Sequence, residues 1–244
     1  MKIERAERMR GSLLPLVAAL AAAISCGGGG GGGGGSSSGI VPNLSIAVCD
    51  PTAGPFTLAV TNPFFPLPVG HKLVLDGAED GAAVHLVITA LDQTEVIAGV
   101  TTRVVEERET NDGELVEVSR NFFAETPNGT VCYFGEDVDI YENGVITAHD
   151  GQWRAGVNGA KPGIVMPGTP AVGNAYQQED APGVAEDRAR IDAIGDPITV
   201  PAGTFDDTLV TLEDSALESG TGTKVYASGV GLVKDGTIEL TSFE

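Results

Sequence analysis

The densest group of chemically useful side chains runs from Glu136 to Gly144, where acidic and apolar residues alternate. If this segment is a β-strand entering a hairpin, Asp137 and Asp139 project from one face and Val138 projects from the other, toward the core. Carboxylates on one face are hard oxygen ligands of the kind that calcium binds. The pattern therefore predicts either a calcium site formed by Asp137, Asp139 and Glu142, or a solvated acidic face that holds no metal.

Paired carboxylates would also suit glycoside hydrolysis, in which one carboxyl group has a raised pKa and the other an ordinary one. A secreted hydrolase using the carboxylates between Glu136 and Glu142 is thus our alternative function. No other catalytic signature accompanies it. The three histidines have no metal-ligand spacing, and the chain has no Gly-x-Ser-x-Gly elbow. We therefore expect a protein that is not an enzyme and has no cofactor, calcium being the one candidate.

A second group of interest is apolar. Trp153, Met166 and Tyr176 flank a stretch from Ala155 to Gly173 that is rich in glycine and proline and has no strand period. A loop of this length in a compact domain is usually functional or packed on itself. The three side chains are expected to rim an apolar ligand cavity, or else to cap the core beneath the loop.

The elements that must position these residues follow an unusual amino terminus. Lys2, Arg5, Arg8 and Arg10 precede an apolar run from Leu13 to Ile24. A basic start, a short apolar run and small residues before the break are typical of a secretory signal, and the run is too short to span a membrane as a helix. Residues 1–25 are therefore interpreted as a signal peptide.

The end of this signal, Ala23-Ile24-Ser25-Cys26, resembles a bacterial lipobox. The resemblance implies cleavage before Cys26, which would carry the lipid. Cleavage within Ala21 to Ser25 without lipidation is the alternative. The absence of aspartate at Gly27 is similar to lipoproteins that are sent to the outer membrane, so the resemblance implies a lipid-anchored protein of the cell envelope, at that membrane.

A linker of glycines and serines, residues 26–39 with Cys26, would hold the folded part off the bilayer at an average reach of about 20 Å. The 14 basic and 34 acidic side chains give the chain a net charge of −20. Such a surface repels phosphate backbones, so nucleic acid is excluded as a partner. It also repels anionic lipid, so attachment to a membrane would depend on the acyl group of Cys26. If Cys26 is acylated, Cys49 and Cys132 remain as an even pair. They are expected either to form a disulfide, which an oxidising compartment favours, or to be two buried thiols.

Residues 40–244 are predicted to form one all-β domain. Prolines deny helix to the segment 40–70, and its Phe64, Phe65 and Leu67 are placed to plug the end of a barrel or sandwich. Asp-Gly and Asn-Gly pairs at 112, 128, 143 and 235 lie between β-rich runs and predict two-residue hairpins. The spacing predicts a single antiparallel meander, closed into a half-open barrel or a sandwich.

Five short segments also carry a family resemblance: Phe65-Pro-Leu-Pro-Val-Gly70, Tyr133-Phe-Gly-Glu-Asp137, Gly163-Ile-Val-Met-Pro167, Val200-Pro-Ala-Gly-Thr-Phe205 and Tyr226-Ala-Ser-Gly-Val-Gly-Leu-Val233. Together they resemble a group of uncharacterised secreted bacterial proteins, which we compare with half-barrels similar to periplasmic lipoprotein carriers. The resemblance implies a β fold with a concave apolar face and transfers no catalytic residue. We therefore expect a lipid-anchored envelope protein that binds either a lipid or other small apolar ligand, or an envelope protein partner.

Overall fold

The structure is a computed structural model that describes residues 39–244. Its first eight strands are β1 (Lys72–Glu79), β2 (Ala82–Ile97), β3 (Val100–Asn111), β4 (Glu114–Glu125), β5 (Val131–Glu142), β6 (Val145–Ala148), β7 (Trp153–Arg154) and β8 (Lys161–Met166). The remaining strands are β9 (Ala175–Gln177), β10 (Glu179–Asp180), β11 (Asp187–Ile194), β12 (Ile198–Val200), β13 (Gly203–Phe205), β14 (Thr208–Ser215), β15 (Gly222–Ala227), β16 (Gly231–Asp235) and β17 (Ile238–Phe243). Two short 3₁₀ helices, Ile46–Cys49 and Pro51–Ala53, precede them. The predicted all-β class is confirmed.

The strands form one large antiparallel sheet that is nearly closed into a barrel. Its first five strands pair in sequence order, as do β14 to β17, which is the predicted meander. The first and last strands also pair, with Leu75 opposite Leu240. Because β1 joins β17, the two halves of the meander become one continuous wall around a common interior.

The seam of the barrel lies at residues 175–180. The first part of this segment, β9, pairs with β11, and the second part, β10, pairs with β8. The segment therefore bridges the two ends of the sheet. Gly163 of β8 makes this approach possible, because a Cβ atom there would lie 2.0 Å from the carbonyl oxygen of Gln178.

Tight turns set the register of the long strands. At Asp112-Gly113 and Asn143-Gly144 both residues have positive φ, as the predicted two-residue hairpins require. In the predicted turns at Asn128-Gly129 and Asp235-Gly236 only the glycine has positive φ, and the first of these connections is longer than two residues. Two further hairpins, at Asp80-Gly81 and Ala98-Gly99, were not predicted.

The segment predicted as a loop from Ala155 to Gly173 is not free of strand structure, and that prediction is wrong in this respect. It contains strand β8, although the proline and glycine of Lys161-Pro162-Gly163 disfavour a β-strand. Pro162 is accommodated opposite Glu179 near the end of the β8 and β10 pairing, and Gly163 is demanded by the closeness of Gln178. Tertiary contact thus overrides local preference here.

One end of the barrel is closed by the apolar side chains predicted for that role. Phe64, Phe65 and Leu67 are buried, and the ring of Phe65 lies 5.1 Å from that of Phe123 in an edge-on arrangement. The apolar cavity left beneath this plug has a volume of about 30 Å³. Little open apolar space is therefore left at this end of the barrel.

The segment before the barrel is fastened to its outer wall. The amide of Ile40 donates to Asp214 at 2.7 Å, and Asn43 exchanges hydrogen bonds with Ala175. A disulfide joins Cys49 to Cys132 of β5. The predicted signal peptide, the lipidation residue Cys26 and the linker up to residue 38 lie outside the described residues. Among residues 39–244 no helix is both long and apolar enough to cross a membrane.

Candidate functional site

A cleft of about 250 Å³ opens in the side of the barrel, between β7 and the turn that follows β10. Trp153 and Glu136 form its inner wall, and Val157 and Val184 stand at its rim. The two valines are 53% and 48% exposed, so their methyl groups meet solvent in the cleft mouth. The cleft is of mixed character, because Asp137, Gln152, Arg154 and Asn158 line it together with these apolar and aromatic side chains.

The short strand β7 builds this wall because it lies directly against β5. Trp153 is opposite Glu136, and Arg154 is opposite Gly135. Gly135 has a φ of +130°, and a Cβ atom there would lie 2.3 Å from the carbonyl oxygen of Trp153. A residue with a side chain at position 135 would therefore push β7 away and widen the cleft.

The alternation of side chains along β7 sends its two residues to opposite sides of the sheet. Trp153 points inward and is 5% exposed. Its ring meets that of Tyr133 edge-on at 5.3 Å, and its indole N–H donates to Glu179 at 3.2 Å. Arg154 points outward, forms a two-point ion pair with Asp137 and covers the ring of Phe122 at 4.9 Å. The hydrogen bonds that this arginine donates to Asp137 raise its pKa.

Behind Trp153 the interior of the barrel is strongly acidic. Six buried carboxylates from six different strands point into it: Glu107, Glu117, Glu136, Glu179, Asp187 and Glu213. The only buried lysine among residues 39–244 is Lys224, whose Nζ lies 3.5 Å from Glu213 and 3.3 Å from Asp235. Because one ammonium stands among so many carboxyl groups, we call this set the inner acidic cluster.

Burial and mutual repulsion keep protons on this cluster. Burial, with repulsion from Glu109, raises the pKa of Glu117 to about 8, and burial raises the pKa of Asp187 to about 7. The pKa of Glu136 lies well above its ordinary value, first because the group is fully enclosed and then because Glu179 is close. Burial and the neighbouring Asp187 raise the pKa of Glu179 in the same way. Perturbed carboxyl groups behind an open cleft are typical of a functional site.

Hydrogen bonds order part of the cluster. Asn121 receives a hydrogen bond from the hydroxyl of Tyr133 and donates to Glu107 at 3.0 Å. On the opposite wall Gln178 and Thr211 both donate to Oε1 of Glu213, at 3.3 and 2.9 Å. The side chains are therefore held in fixed positions by neighbours rather than by solvent.

Other polar atoms of this region have no hydrogen-bond partner within residues 39–244. They include Oε2 of Glu136, Oε1 of Gln178 and the hydroxyl of Tyr176, whose residues are 1% exposed or less, together with Oε2 of Glu117 and Oδ2 of Asp187. A buried polar atom without a partner costs about 1–3 kcal/mol. Such atoms mark this interior as a candidate site for a polar group.

The predicted calcium ligands do not come together. Asp137 is paired with Arg154, and Asp139 is paired with Arg120 and His149 on the outer face of the sheet. Glu142 lies at the end of β5, exposed and opposite Val145. Within residues 39–244 no group of three or more His, Cys, Asp or Glu could hold a metal ion. Two of the three carboxylates thus have basic partners in this structure, and calcium binding stays a prediction.

The predicted ligand-binding residues separate. Trp153 lines the cleft. Met166 and Tyr176 do not, since both are fully buried: Met166 packs opposite Val131 at the end of β8, and Tyr176 lies opposite Ala189 in the seam. Burial and the nearby Glu213 raise the pKa of the Tyr176 phenol, which places it at the acidic cluster rather than at an apolar rim.

Sequence reasoning missed the inner acidic cluster, although a signal for it was present. Glu107 lies two positions from the buried Val105 on the same strand, and Glu136 lies two positions from the buried Val138, so each glutamate faces the same side of the sheet as a core residue. An acidic residue at a core-facing position of a strand is the signal that would have found the cluster.

No family model matches this chain, and no curated protein matches it. Among solved structures, a candidate lipoprotein from Parabacteroides distasonis ATCC 8503 aligns at 17% identity and a TM-score of 0.32, over 75% of this chain and 99% of its own. A candidate exported protein with a YmcC-like fold, from Bacteroides fragilis NCTC 9343, aligns at 16% identity and a TM-score of 0.33, over 74% of this chain and 98% of its own. At these TM-scores the alignments carry no argument about the function of this chain.

Proposed function

We propose that this chain is an exported protein of the cell envelope, held at a membrane by a lipid on Cys26, whose β domain binds a small amphiphilic molecule without changing it chemically. The secretory signal, the lipobox-like residues and the glycine linker support the first part. The lateral cleft supports the second. The single observation that carries the binding function is a cleft of about 250 Å³ with exposed valines at its mouth and Trp153 on its inner wall.

The size of the cleft limits the ligand. At about 30 Å³ for each water-sized group, 250 Å³ accommodates roughly eight non-hydrogen atoms. The plugged end of the barrel adds only about 30 Å³ of apolar space. The occupant is therefore a compact molecule or the end of a longer chain, with its apolar part between Val157 and Val184. Of the apolar ligands expected from the sequence, the proposal therefore retains only small ones.

Trp153 makes the binding function directly testable, because it is the only tryptophan of the chain. We expect small amphiphiles of six or seven carbons to change its fluorescence in a saturable way. Replacement of Val184 by Asn would remove apolar surface at the exposed rim without adding a charge, and should weaken this binding without disturbing the buried core. Absence of any saturable change with every chemical class of amphiphile would overturn the binding proposal.

Localisation is tested separately. The full chain is expected in the membrane fraction of its host, and the variant Cys26→Ala in the soluble exported fraction. Cys49→Ala with Cys132→Ala serves as the matched control, since it removes cysteines but leaves the lipidation residue. If Cys26→Ala stays with the membrane, the lipid anchor is not what holds the protein there.

A further inference from the structure

Taking the proposed binding function as its premise, we infer that the inner wall of the cleft recognises a primary ammonium group, so that the ligand is an amphiphilic amine. The cleft and the inner acidic cluster share one side chain, Glu136, which lines the cleft and belongs to the cluster. Glu136 is therefore the side chain at which the cleft adjoins the acidic interior.

The first argument is that an oxygen atom of Glu136 has no hydrogen-bond donor beside it. Oε2 of Glu136 is buried and has no hydrogen-bond partner within residues 39–244. An ammonium group supplies N–H donors at the 2.7–2.9 Å typical of a charge-assisted hydrogen bond. Gln178 and Tyr176 add two more unpartnered oxygen atoms deeper in the interior.

The second argument is the aromatic surface beside that carboxylate. Trp153 and Tyr133 lie edge-on to each other at 5.3 Å, and Trp153 stands opposite Glu136 in the sheet. Indole and phenol rings attract cations through the negative charge of their faces. A carboxylate next to two aromatic rings is a combination suited to an organic cation.

The third argument is charge. The buried carboxylates of the cluster outnumber the one buried lysine, Lys224, which already contacts Glu213 and Asp235. Burial keeps a proton on Glu136, and an ammonium group can take the place of that proton, which leaves to the solvent, as the positive partner of the carboxylate. The guanidinium of Arg154 also lines the cleft, but it is already paired with Asp137. A bare metal ion is a poorer fit, since no three ligands within residues 39–244 are arranged to hold one. An ammonium group needs fewer ligands and fits this geometry.

The test compares three probes that match in size: hexylamine, 1-hexanol and hexanoate. The full chain carrying Cys26→Ala is used, so that no acyl chain competes for the cleft, and Trp153 fluorescence is followed at pH 7.5. We expect hexylamine to bind at least tenfold more tightly than 1-hexanol, and hexanoate to bind most weakly. The variant Glu136→Gln should bring the affinity for hexylamine down towards that for 1-hexanol.

The outcomes separate the two proposals. Equal binding of hexylamine and 1-hexanol would leave the binding function standing and refute ammonium recognition. No saturable binding of any of the three would refute both. If Glu136→Gln fails to fold, the order of the three probes on the parent chain still decides the question, because it needs no substitution in the cluster.

Discussion

The stability of this protein is predicted to fall as the pH rises from 5 to 8. Three carboxyl groups of the interior and its mouth carry the effect: burial raises the pKa of Glu109 and Asp187 to about 7 and that of Glu117 to about 8. Their ordinary values are 4.5, 3.8 and 4.5. Between pH 5 and 7 the unfolded chain has released these protons and the folded chain keeps them. The folded state thus binds more protons, and its advantage is lost as the pH rises through 7 to 8.

The magnitude follows from the proton count. Each group that is protonated when folded and ionised when unfolded lowers the free energy of unfolding by about 1.4 kcal/mol per pH unit. Three such groups give a slope of about 4 kcal/mol per unit near pH 6. Glu136 and Glu179, whose pKa values burial also raises, act in the same direction. A domain is stable by only about 5–15 kcal/mol in total, so the change is large enough to measure.

The assay is urea unfolding followed by Trp153 fluorescence at pH 5, 6, 7 and 8. The variant Glu117→Gln should reduce the slope by about 1.4 kcal/mol per unit, because its amide cannot titrate. Glu142→Gln is the matched control: Glu142 is exposed at the end of β5, and its loss should leave the slope unchanged. A free energy of unfolding that is constant or rises between pH 5 and 7 would refute the reasoning, since the buried carboxyl groups would then be ionised in the folded state.

Two further predictions concern the elements that hold the barrel closed. The variant Gly163→Ala should destabilise the domain by about 1–3 kcal/mol, because its methyl group would collide with the carbonyl of Gln178 at the seam. Thermal unfolding measures this loss. Gly151→Ser, at a turn with no atom near the new side chain, is the control and should destabilise the domain less. Replacing both Cys49 and Cys132 by Ala should lower the free energy of unfolding by about 4 kcal/mol, because the disulfide closes a loop whose ends are 83 residues apart. An unchanged midpoint of urea unfolding would contradict this.

Much of the fold could be predicted from the sequence, because side-chain alternation and turn residues depend on neighbouring positions. Alternation along β5 correctly placed Val138 inside and Asp137 and Asp139 outside. Turn residues with positive φ marked the hairpins at Asp112-Gly113 and Asn143-Gly144. These features depend on residues a few positions apart, so no knowledge of distant strands was needed.

The candidate site was less predictable. Trp153 was identified from its setting, but its inward direction and its partners Tyr133 and Glu179 depend on β7 lying against β5. The sequence also does not show that Arg154 and Arg120 face Asp137 and Asp139 across neighbouring strands. Side-chain partners of this kind are set by register between strands, which a single sequence leaves open.

The sequence by itself indicated the β class, the hairpins at Asp112-Gly113 and Asn143-Gly144 and the apolar plug of Phe64, Phe65 and Leu67, since each of these depends on neighbouring residues. The secretory signal stays a prediction from the sequence. Only the tertiary structure decided that β1 pairs with β17 and that residues 175–180 close the seam. Closing the sheet brings carboxylates from six strands into one enclosed space, where burial and repulsion change their acidity. The acidic interior is therefore a property of the closed barrel and not of any single segment.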